Sequence, residues 1–501
     1  MKKSIKRALA LLLAAMLTLT ALSCAKEEPP SGNTGNNTSA KTDNPSSPEV
    51  PAENPGGTEP GEASEEAAEP AETEWPVPDY SDFVMPEETG ELYLYVDAAM
   101  GRAVMNPAVE RFRELYPGVE VTFEVLSPDE FGTRSETELS AGKGPDLFFF
   151  TSVPDIYKTM GTGLFTDLNP YFDADPEIDP GEFVEGVMKG GMFQGRRYLV
   201  PICFKSPILV ARRSLLDELG IEDPSDFDSL AEAARRYHGA YPDSSLFLDD
   251  SSMETWAVNL PDLIQYAGLR FIDYERGLLD CNEERIREIM DLVKLYYDPD
   301  YVEYDENKAY RLVTSYMDYG CLAENECLYN YCNDGYYSFS TVKKKLAGMG
   351  DEAVAFVPRG ENGETTAEIV QMAAIPQGSK NKLNAWRLMK VLLSDEIQTA
   401  RDASRSGNSV FWAGKPVRLS SLRALFSYDV EYWGFDPEDP EEQKILDEFI
   451  ALWSSSTVAR KLPAILNRYI ILELMPYVRG EKPWDDCYKR FLNTLELYAS
   501  E

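Results

Sequence analysis

The sequence predicts an α/β protein in which helices cover the faces of a parallel sheet. Strand-like and helix-like patterns alternate between residues 92 and 150, and this order is typical of a parallel sheet. The last strand of the series, residues 147–150, is apolar at every position, as strands buried on both faces are. About 410 residues follow the polar N-terminal part, which is more than one compact core accommodates. We therefore expect two lobes.

A change in the spacing of apolar residues, from every second residue to one face of a helix, marks the first strand and the first helix. Residues 92–96 alternate in polarity as a strand does, and Asn106-Pro107 then offers an N-cap followed by proline at the first helical position. An apolar helical face runs from Val109 to Tyr116 and stops before Pro117-Gly118. These signals predict a strand over 92–96 and a helix over 106–116.

The next elements repeat this order. Residues 119–125 are apolar at every second position, which predicts a second strand. A helix is predicted from Asp129 to Ala141, because Gly142 supplies a C-terminal break. The buried strand over 146–150 follows directly. Further along the chain, residues 353–358 read as another strand.

The N-terminus carries an export signal. Basic residues precede an apolar run from Ala8 to Leu22, which would span roughly 22 Å as a helix, short of a hydrocarbon core of roughly 30 Å. The run leads into Ala21-Leu22-Ser23-Cys24, which resembles the lipobox of bacterial lipoproteins. The resemblance implies that residues 1–23 are a signal peptide and that Cys24 carries fatty acyl chains such as palmitate. An ordinary secretory signal is the alternative, and either reading places the protein outside the cytoplasm.

A polar segment follows the cysteine. Residues 25–90 are rich in Pro, Glu, Ser, Thr, Asn and Gly and contain almost no apolar side chain before Trp75. Such a composition buries too little surface to fold. We therefore expect residues 24–90 to be a lipidated cysteine and a disordered tether.

Charge and cysteine content narrow the class of protein. The formal net charge is −38 at pH 7, and so acidic a surface repels phosphate backbones and anionic lipid. We therefore expect no nucleic-acid partner and contact with the membrane only through the lipid anchor. The cysteines after Cys24 show no short-spaced framework, and free buried thiols are expected rather than disulfides.

Several segments resemble the extracellular solute-binding proteins of ABC importers, especially the carbohydrate-binding branch. They are Ala141-Gly-Lys-Gly-Pro-Asp146, Gly163-Leu-Phe-Thr-Asp-Leu-Asn-Pro-Tyr171, Phe193-Gln-Gly-Arg-Arg-Tyr-Leu-Val-Pro201 and Ala374–Gln398. They occur in the family's order over roughly 90–480.

The resemblance implies a periplasmic-binding-protein-like fold with a ligand cleft between two lobes joined by hinge crossings. By analogy lobe 1 holds residues 91–204 and 350–395, and lobe 2 holds residues 205–349 and 396–501. It also implies a monomer that binds a small molecule, a sugar in the first instance, and meets the permease subunits of an ABC transporter. The chemical identity of the ligand stays open, since a peptide or another polar solute fits the same pattern.

Catalytic motifs are mostly excluded. His238 is the only histidine, so no paired-histidine zinc site exists and a Ser-His-Asp triad would have to use it. No Gly-x-Ser-x-Gly elbow or phosphate-binding loop occurs. We expect no enzyme activity, cofactor or metal. Two alternatives remain: a surface carbohydrate-active enzyme, and a sensor or adhesin that works without a transporter.

Candidate ligand-binding residues lie at predicted strand ends and in aromatic segments. A sugar needs aromatic faces for its C–H surface and fixed polar groups for its hydroxyls. Tyr336 stands where the family carries a ligand-stacking tryptophan, and core packing is its alternative role. The full set of predicted ligand contacts is Asp97, Thr151, Ser152, Trp256, Asn333, Tyr336 and Trp412.

Overall fold

Strands and helices alternate through the part of the chain that the structure describes. A computed structural model of the chain describes residues 75–76, 78–98, 101–151, 156–242, 244–248, 260–296, 322, 327–332, 336–402, 408–411, 414–432 and 434–500. The helices are α1 (Gly101–Leu115), α2 (Pro128–Ser140), α3 (Ile156–Gly161), α4 (Asn169–Ala174), α5 (Glu185–Lys189), α6 (Arg213–Leu219), α7 (Phe227–Ala240), α8 (Leu260–Tyr266), α9 (Glu283–Tyr296), α10 (Tyr336–Gly348), α11 (Lys382–Leu393), α12 (Asp395–Gln398), α13 (Leu419–Tyr432), α14 (Pro440–Trp453), α15 (Ala464–Val478) and α16 (Trp484–Ser500). The strands are β1 (Glu91–Asp97), β2 (Glu120–Leu126), β3 (Leu147–Phe150), β4 (Met192–Phe193), β5 (Arg196–Arg197), β6 (Val200–Lys205), β7 (Leu209–Arg212), β8 (Ser245–Leu248), β9 (Phe271–Asp273), β10 (Leu278–Asp280), β11 (Cys327–Tyr331), β12 (Ala353–Phe356), β13 (Thr366–Ala374), β14 (Arg401–Asp402), β15 (Asn408–Ser409), β16 (Lys415–Pro416) and β17 (Val458–Arg460).

The first lobe is built on a mixed sheet of parallel and antiparallel strands. Its strand order is β16-β6-β13-β3-β1-β2, and β17 pairs with β13. Strand β1 runs parallel to β2 and β3, which confirms the predicted strand and helix order over residues 92–150. Strand β13 runs antiparallel to β3 and β6 because the chain re-enters this sheet from the other lobe.

Helix α1 begins one turn earlier than predicted. It starts at Gly101, and Pro107 lies inside it rather than at its first position. Val104 and Met105 are fully buried, so the added turn places apolar side chains in the core. Glycine is required at the start, because a Cβ on Gly101 would lie 2.5 Å from Cγ1 of Val96.

The second lobe has its own sheet and its own core. The sheet order is β12-β7-β11-β8, and β7 runs antiparallel to β11 and β12. The apolar faces of α7, α9, α15 and α16 meet in a second hydrophobic core that includes Leu230, Ile289, Leu474 and Phe491. Burial of these faces holds the lobe together, since apolar area removed from water contributes about 25 cal/mol per Å².

The chain crosses between the lobes at strand ends. It leaves the first sheet after Lys205, returns between Phe356 and Thr366, and leaves again after Arg460. The boundaries expected at residues 350 and 396 remain predictions, and strand pairing bears on where the chain crosses. Strand β12 still pairs with β7 in the second sheet, and β16 and β17, both beyond residue 396, pair in the first sheet. Short strands of this kind carry no sequence signal for the sheet that they join, because their partners are distant in the chain.

The segment before β1 packs on the first lobe. The hydroxyl of Tyr80 donates to the carboxylate of Asp167, and the ring of Phe83 lies 4.9 Å from that of Tyr171. Nδ2 of Asn384 donates to the carbonyl oxygen of Thr89 at 2.9 Å. These contacts place described residues before β1 against the first lobe, whereas the sequence predicted a tether up to residue 90.

Candidate functional site

The carboxyl ends of β1 and β3 bring two of the predicted ligand contacts together. Asp97 accepts hydrogen bonds from the main-chain nitrogen of Thr151, at 3.2 Å, and from its hydroxyl. Parallel neighbouring strands end at the same edge of a sheet, so the sequence could place these residues side by side. Asp97 is 1% exposed and Thr151 is 8% exposed. Their mutual bond therefore ties β1 to β3, and a role in ligand binding stays a prediction.

Tyr336 lies in the first hydrophobic core. It begins α10 rather than ending a strand, and it is fully buried. Its ring packs edge-on against Phe435 and Phe449, with centroids 6.0 and 5.8 Å away. Its hydroxyl donates to the carboxylate of Glu442, and burial followed by this carboxylate raises the pKa of Tyr336 well above its ordinary value. The structure thus favours the packing alternative and offers no open ring face for stacking.

The remaining predicted contacts cannot be placed in this geometry. Ser152, Trp256, Asn333 and Trp412 lie outside the described residues, as does Cys24. They remain predictions from the sequence. Helix α3, which follows β3 in the chain, begins at Ile156, so Ser152 lies shortly before that helix in the sequence.

A cavity of about 630 Å³ lies between the lobes. The first lobe contributes the start of α3, the turn from α5 to β4, the first residues of β13 and all of β17. The second lobe contributes the end of α8, strand β9 and the start of α15. The size is within the range of small-molecule sites, and a cavity shared by two lobes changes shape when they rotate.

One part of the cavity wall is aromatic. The rings of Tyr157, from the first lobe, and Tyr274, from the second, stack with centroids 5.2 Å apart and an interplanar angle of 28°. The hydroxyl oxygen of Tyr157 accepts a hydrogen bond from the main-chain nitrogen of Lys461 at 2.8 Å. Burial raises the pKa of Tyr157, so the phenol stays neutral and protonated. The pair provides flat apolar surface where the lobes meet.

A second part of the wall is an ion-pair network. Oε2 of Glu364 lies 2.6 Å from Nη2 of Arg460, and its Oε1 lies 3.2 Å from Nη2 of Arg270. Burial opposes ionisation of Glu364, but the charges and hydrogen bonds of Arg460 and Arg270 together outweigh it, and the pKa of the carboxyl is lowered. Burial, together with the like charge of Arg270, lowers the pKa of Arg460. One carboxylate thus neutralises guanidinium groups from both lobes.

Further hydrogen bonds join the lobes around the cavity. Oε1 of Glu275 accepts from the main-chain nitrogen of Gln194 at 2.6 Å, and its Oε2 accepts from Nε1 of Trp75 at 3.0 Å. Nε2 of Gln265 donates to the carbonyl oxygen of Thr366 at 2.6 Å. These polar contacts link the lobes at the cavity, beside a hydrophobic core that itself includes residues of both sheets.

The family follows from the sequence between β1 and α12. Residues 97–399 match the family model described as the bacterial extracellular solute-binding protein, and this range is more than half of the chain. The chain belongs to that family.

Curated relatives of this solute-binding protein are distant. It is 22% identical over 328 residues to a protein of Brucella abortus (strain 2308) that is named as a binding protein, and the alignment covers 62% of this chain and 73% of that one. A protein of Brucella suis biovar 1 with the same kind of name matches to the same extent. These names specify binding and no solute.

Solved structures share the fold. A periplasmic solute-binding protein of Pectobacterium atrosepticum has a TM-score of 0.51 and 17% identity, covering 82% of this chain and 99% of that chain. An open form of a Rhizobium etli protein described as a sugar transporter has a TM-score of 0.50 and 15% identity, covering 81% and 99%. The two-lobe fold expected from the sequence is confirmed.

Membership of an extracellular family places the solute-binding protein outside the cytoplasm. Within the residues that the structure describes, no helix combines the length and the apolarity needed to cross a membrane.

Sequence reasoning missed the residues that line the cavity. Tyr157 follows the predicted strand-end cluster closely, so extending that search by one helical turn would have included it. Arg460 and Thr366 gave no such signal. Neither residue belongs to a recognisable motif, Arg460 ends a strand of three residues and Thr366 begins its strand. Their proximity arises from pairing between β13 and β17, which are about 90 residues apart.

Proposed function

We propose that this solute-binding protein captures a sugar or oligosaccharide outside the cytoplasm and delivers it to an ABC importer. The cavity between the lobes carries the proposal, since both lobes line it and it combines stacked tyrosines with polar side chains. Aromatic faces suit the C–H surface of a sugar ring, and polar groups suit its hydroxyls. The description of the Rhizobium etli neighbour as a sugar transporter agrees with this solute class.

Binding would act through the crossings between the lobes. A ligand that contacts both lobes stabilises the arrangement in which both sets of contacts form, and this shifts the population toward a closed form. The permease would recognise that form. Asp97, Thr151, Ser152, Trp256, Asn333 and Trp412 remain proposed contacts that complete the site from the strand ends and loops.

Binding without chemical conversion is part of the proposal. His238 packs edge-on against Tyr296, with centroids 5.1 Å apart, inside the second lobe. Among the described residues, no cluster of His, Cys, Asp and Glu side chains could hold a metal ion. His238 is not among the residues that line the cavity.

A lipid anchor at Cys24 would keep the protein at the outer face of the cell membrane. The export signal, the lipobox-like Ala21-Leu22-Ser23-Cys24 and the polar segment after it support this arrangement. A tether would leave the lobes free to reach the permease.

A thermal-shift screen tests the proposed function. The panel consists of mono- and oligosaccharides, uronic acids, amino acids and short peptides. A true ligand at about a thousand times its dissociation constant should add roughly 4 kcal/mol of apparent stability without being consumed. Stabilisation by a peptide or amino acid alone would contradict the sugar assignment, and product formed from any hit would contradict binding without conversion.

A further inference from the structure

Buried polar atoms without a partner among the described residues occur on residues that line the cavity between the lobes. They are Nη1 of Arg460, Oγ1 of Thr366 and Oδ1 of Asn467. All three residues line the cavity. Buried polar groups are almost always hydrogen-bonded, because desolvation without a partner costs free energy. Several such atoms around one cavity indicate a place built for a polar ligand.

Strand pairing explains why two of these atoms share one wall. Strands β13 and β17 run parallel with Thr366 opposite Val458 and Glu368 opposite Arg460. Side chains two residues apart on a strand point to the same face, so Thr366 and Arg460 lie diagonally on one face of the strand pair. Asn467 comes from α15, just after the crossing that follows β17. The three residues therefore line the cavity from both sides of a crossing.

The hydrogen-bonding chemistry of the three groups defines what fits. A guanidinium N–H only donates, an amide oxygen only accepts, and a threonine hydroxyl does both. A ligand must therefore accept from Arg460, donate to Asn467 and exchange either kind of bond with Thr366. A set of neighbouring hydroxyl groups meets all of these requirements, since each hydroxyl can donate and accept.

The charges around the cavity already have partners within the protein. Arg460 and Arg270 share Glu364, and Lys461 lies 3.7 Å from Glu368. Both carboxylate oxygens of Glu275 accept hydrogen bonds, as described above. A charged ligand would lose its hydration in the cavity, and no charged side chain without a partner would be there to replace it. Its binding is therefore unfavourable.

We propose that Arg460, Thr366 and Asn467 form a polar grip for an uncharged, polyhydroxylated ligand in the cavity beside β17. This inference rests on the proposed function and deepens it, because it assigns the gripping residues and separates neutral sugars from sugar acids. None of the three residues was predicted from the sequence. The grip spans a crossing, so its occupation also favours one arrangement of the lobes.

Variants that delete the unpaired polar atoms provide the test. Thr366→Val removes the hydroxyl and keeps the shape of the side chain, and Asn467→Leu removes the amide oxygen together with the amide nitrogen. Ser456→Ala is the matched control, because its Oγ is also buried without a partner but does not line the cavity. The probes are D-glucose, D-xylose, maltose, cellobiose, D-glucuronate and D-galacturonate. Melting temperature is measured first, and calorimetry then gives Kd for each probe that stabilises the wild type.

We expect a neutral probe to stabilise the wild type and each cavity variant to weaken its binding about five- to tenfold. The melting temperature of Thr366→Val without probe should stay equal or rise, because an unpaired buried hydroxyl is removed. Ser456→Ala should bind as the wild type does. A merely structural role for Thr366 would instead lower the melting temperature and leave Kd unchanged.

The remaining outcomes separate this inference from the proposed function. Equal binding of a neutral sugar by wild type and both cavity variants would overturn the grip and leave sugar capture standing. Stabilisation by the uronates alone would overturn the uncharged class and leave sugar capture standing. Absence of any shift with all six probes would overturn the inference, and failure of the wider saccharide panel as well would remove the proposed function too.

Discussion

At the scale of single residues, burial decides what an aromatic or charged side chain does. The hydroxyl of Tyr336 and that of Ser340 both donate to Glu442, which is itself fully buried. A buried carboxylate needs such partners because its desolvation is otherwise costly. Glu364 has the same need and meets it with Arg460 and Arg270 at the edge of the cavity.

Substitution of Tyr336 separates packing from ligand contact. Tyr336→Ala should lower the free energy of unfolding by about 3–5 kcal/mol, because it opens a cavity in the first core. Chemical denaturation measures this loss, and Tyr432→Ala is a control because Tyr432 is 50% exposed. An unchanged unfolding curve combined with weaker sugar binding would instead restore the stacking role.

Acid should weaken the network at Glu364. The folded-state pKa of this carboxyl lies below its ordinary value of 4.5, so its stabilisation is present above that pH and is lost as the pH falls through the folded value. Glu364→Gln should cost about 2 kcal/mol at neutral pH, because it leaves Arg460 without its carboxylate.

The same variant should flatten the dependence of unfolding free energy on pH below about 4.5. Glu185→Gln is the control, since Glu185 pairs with Lys189 on the surface of α5. Equal pH dependence in wild type and Glu364→Gln would show that the network does not contribute to acid sensitivity.

At the scale of elements, the segment from Trp75 to Gly90 behaves as part of the first lobe. Its described residues form no helix or strand before β1, yet Phe83 contacts α4 and Tyr80 contacts the chain next to that helix. Glu88 also pairs with Arg387 of α11 at 3.2 Å. A composition rich in Pro and Glu thus does not prevent a segment from packing when a few aromatic side chains find partners.

Two truncations locate the end of the tether. Removal of residues 25–74 should leave the melting temperature unchanged, because a segment with almost no apolar side chains contributes no packed core. Removal of residues 25–90 should cost about 2 kcal/mol or more, since it deletes Tyr80, Phe83 and their bonds. Thermal and chemical denaturation compare the two. Equal stability of both truncations would show that the segment contributes nothing.

At the scale of the whole molecule, the two lobes meet through polar contacts around the cavity and through apolar packing beside it. The stack of Tyr157 on Tyr274 and the bonds of Glu275 and Gln265 link the lobes at the cavity. The first hydrophobic core also includes Val210 and Cys327 from the second sheet, so apolar contacts join the two sheets as well. The polar contacts around the cavity can exchange with water when the lobes move, as the proposed closure on a ligand requires.

The proposed anchor predicts where the protein is found. Cys24→Ala should release the protein from the membrane fraction or leave an unprocessed precursor, because no acyl chain can be attached. Cell fractionation and mass spectrometry of the N-terminus measure the change, and Ser23→Ala is the neighbouring control. A mature wild-type N-terminus beyond Cys24 would contradict the anchor.

The sequence by itself determined the features that depend on local pattern. Alternating polarity and turn residues predicted the order of β1, α1, β2, α2 and β3, and parallel order placed Asp97 beside Thr151. The length of the chain and its family resemblance predicted two lobes. These features need only neighbours in the chain or the fixed geometry of a parallel sheet.

Only the tertiary structure decided features that depend on distant partners. The sheet that β16 and β17 join, the burial of Tyr336 and the cavity with Thr366, Arg460 and Asn467 arise from residues far apart in sequence. Periodicity reports which face of a segment is apolar, but it does not report which other segment covers that face. The lobe boundaries and the polar grip were therefore fixed by packing between elements, where burial and hydrogen-bond partners are decided.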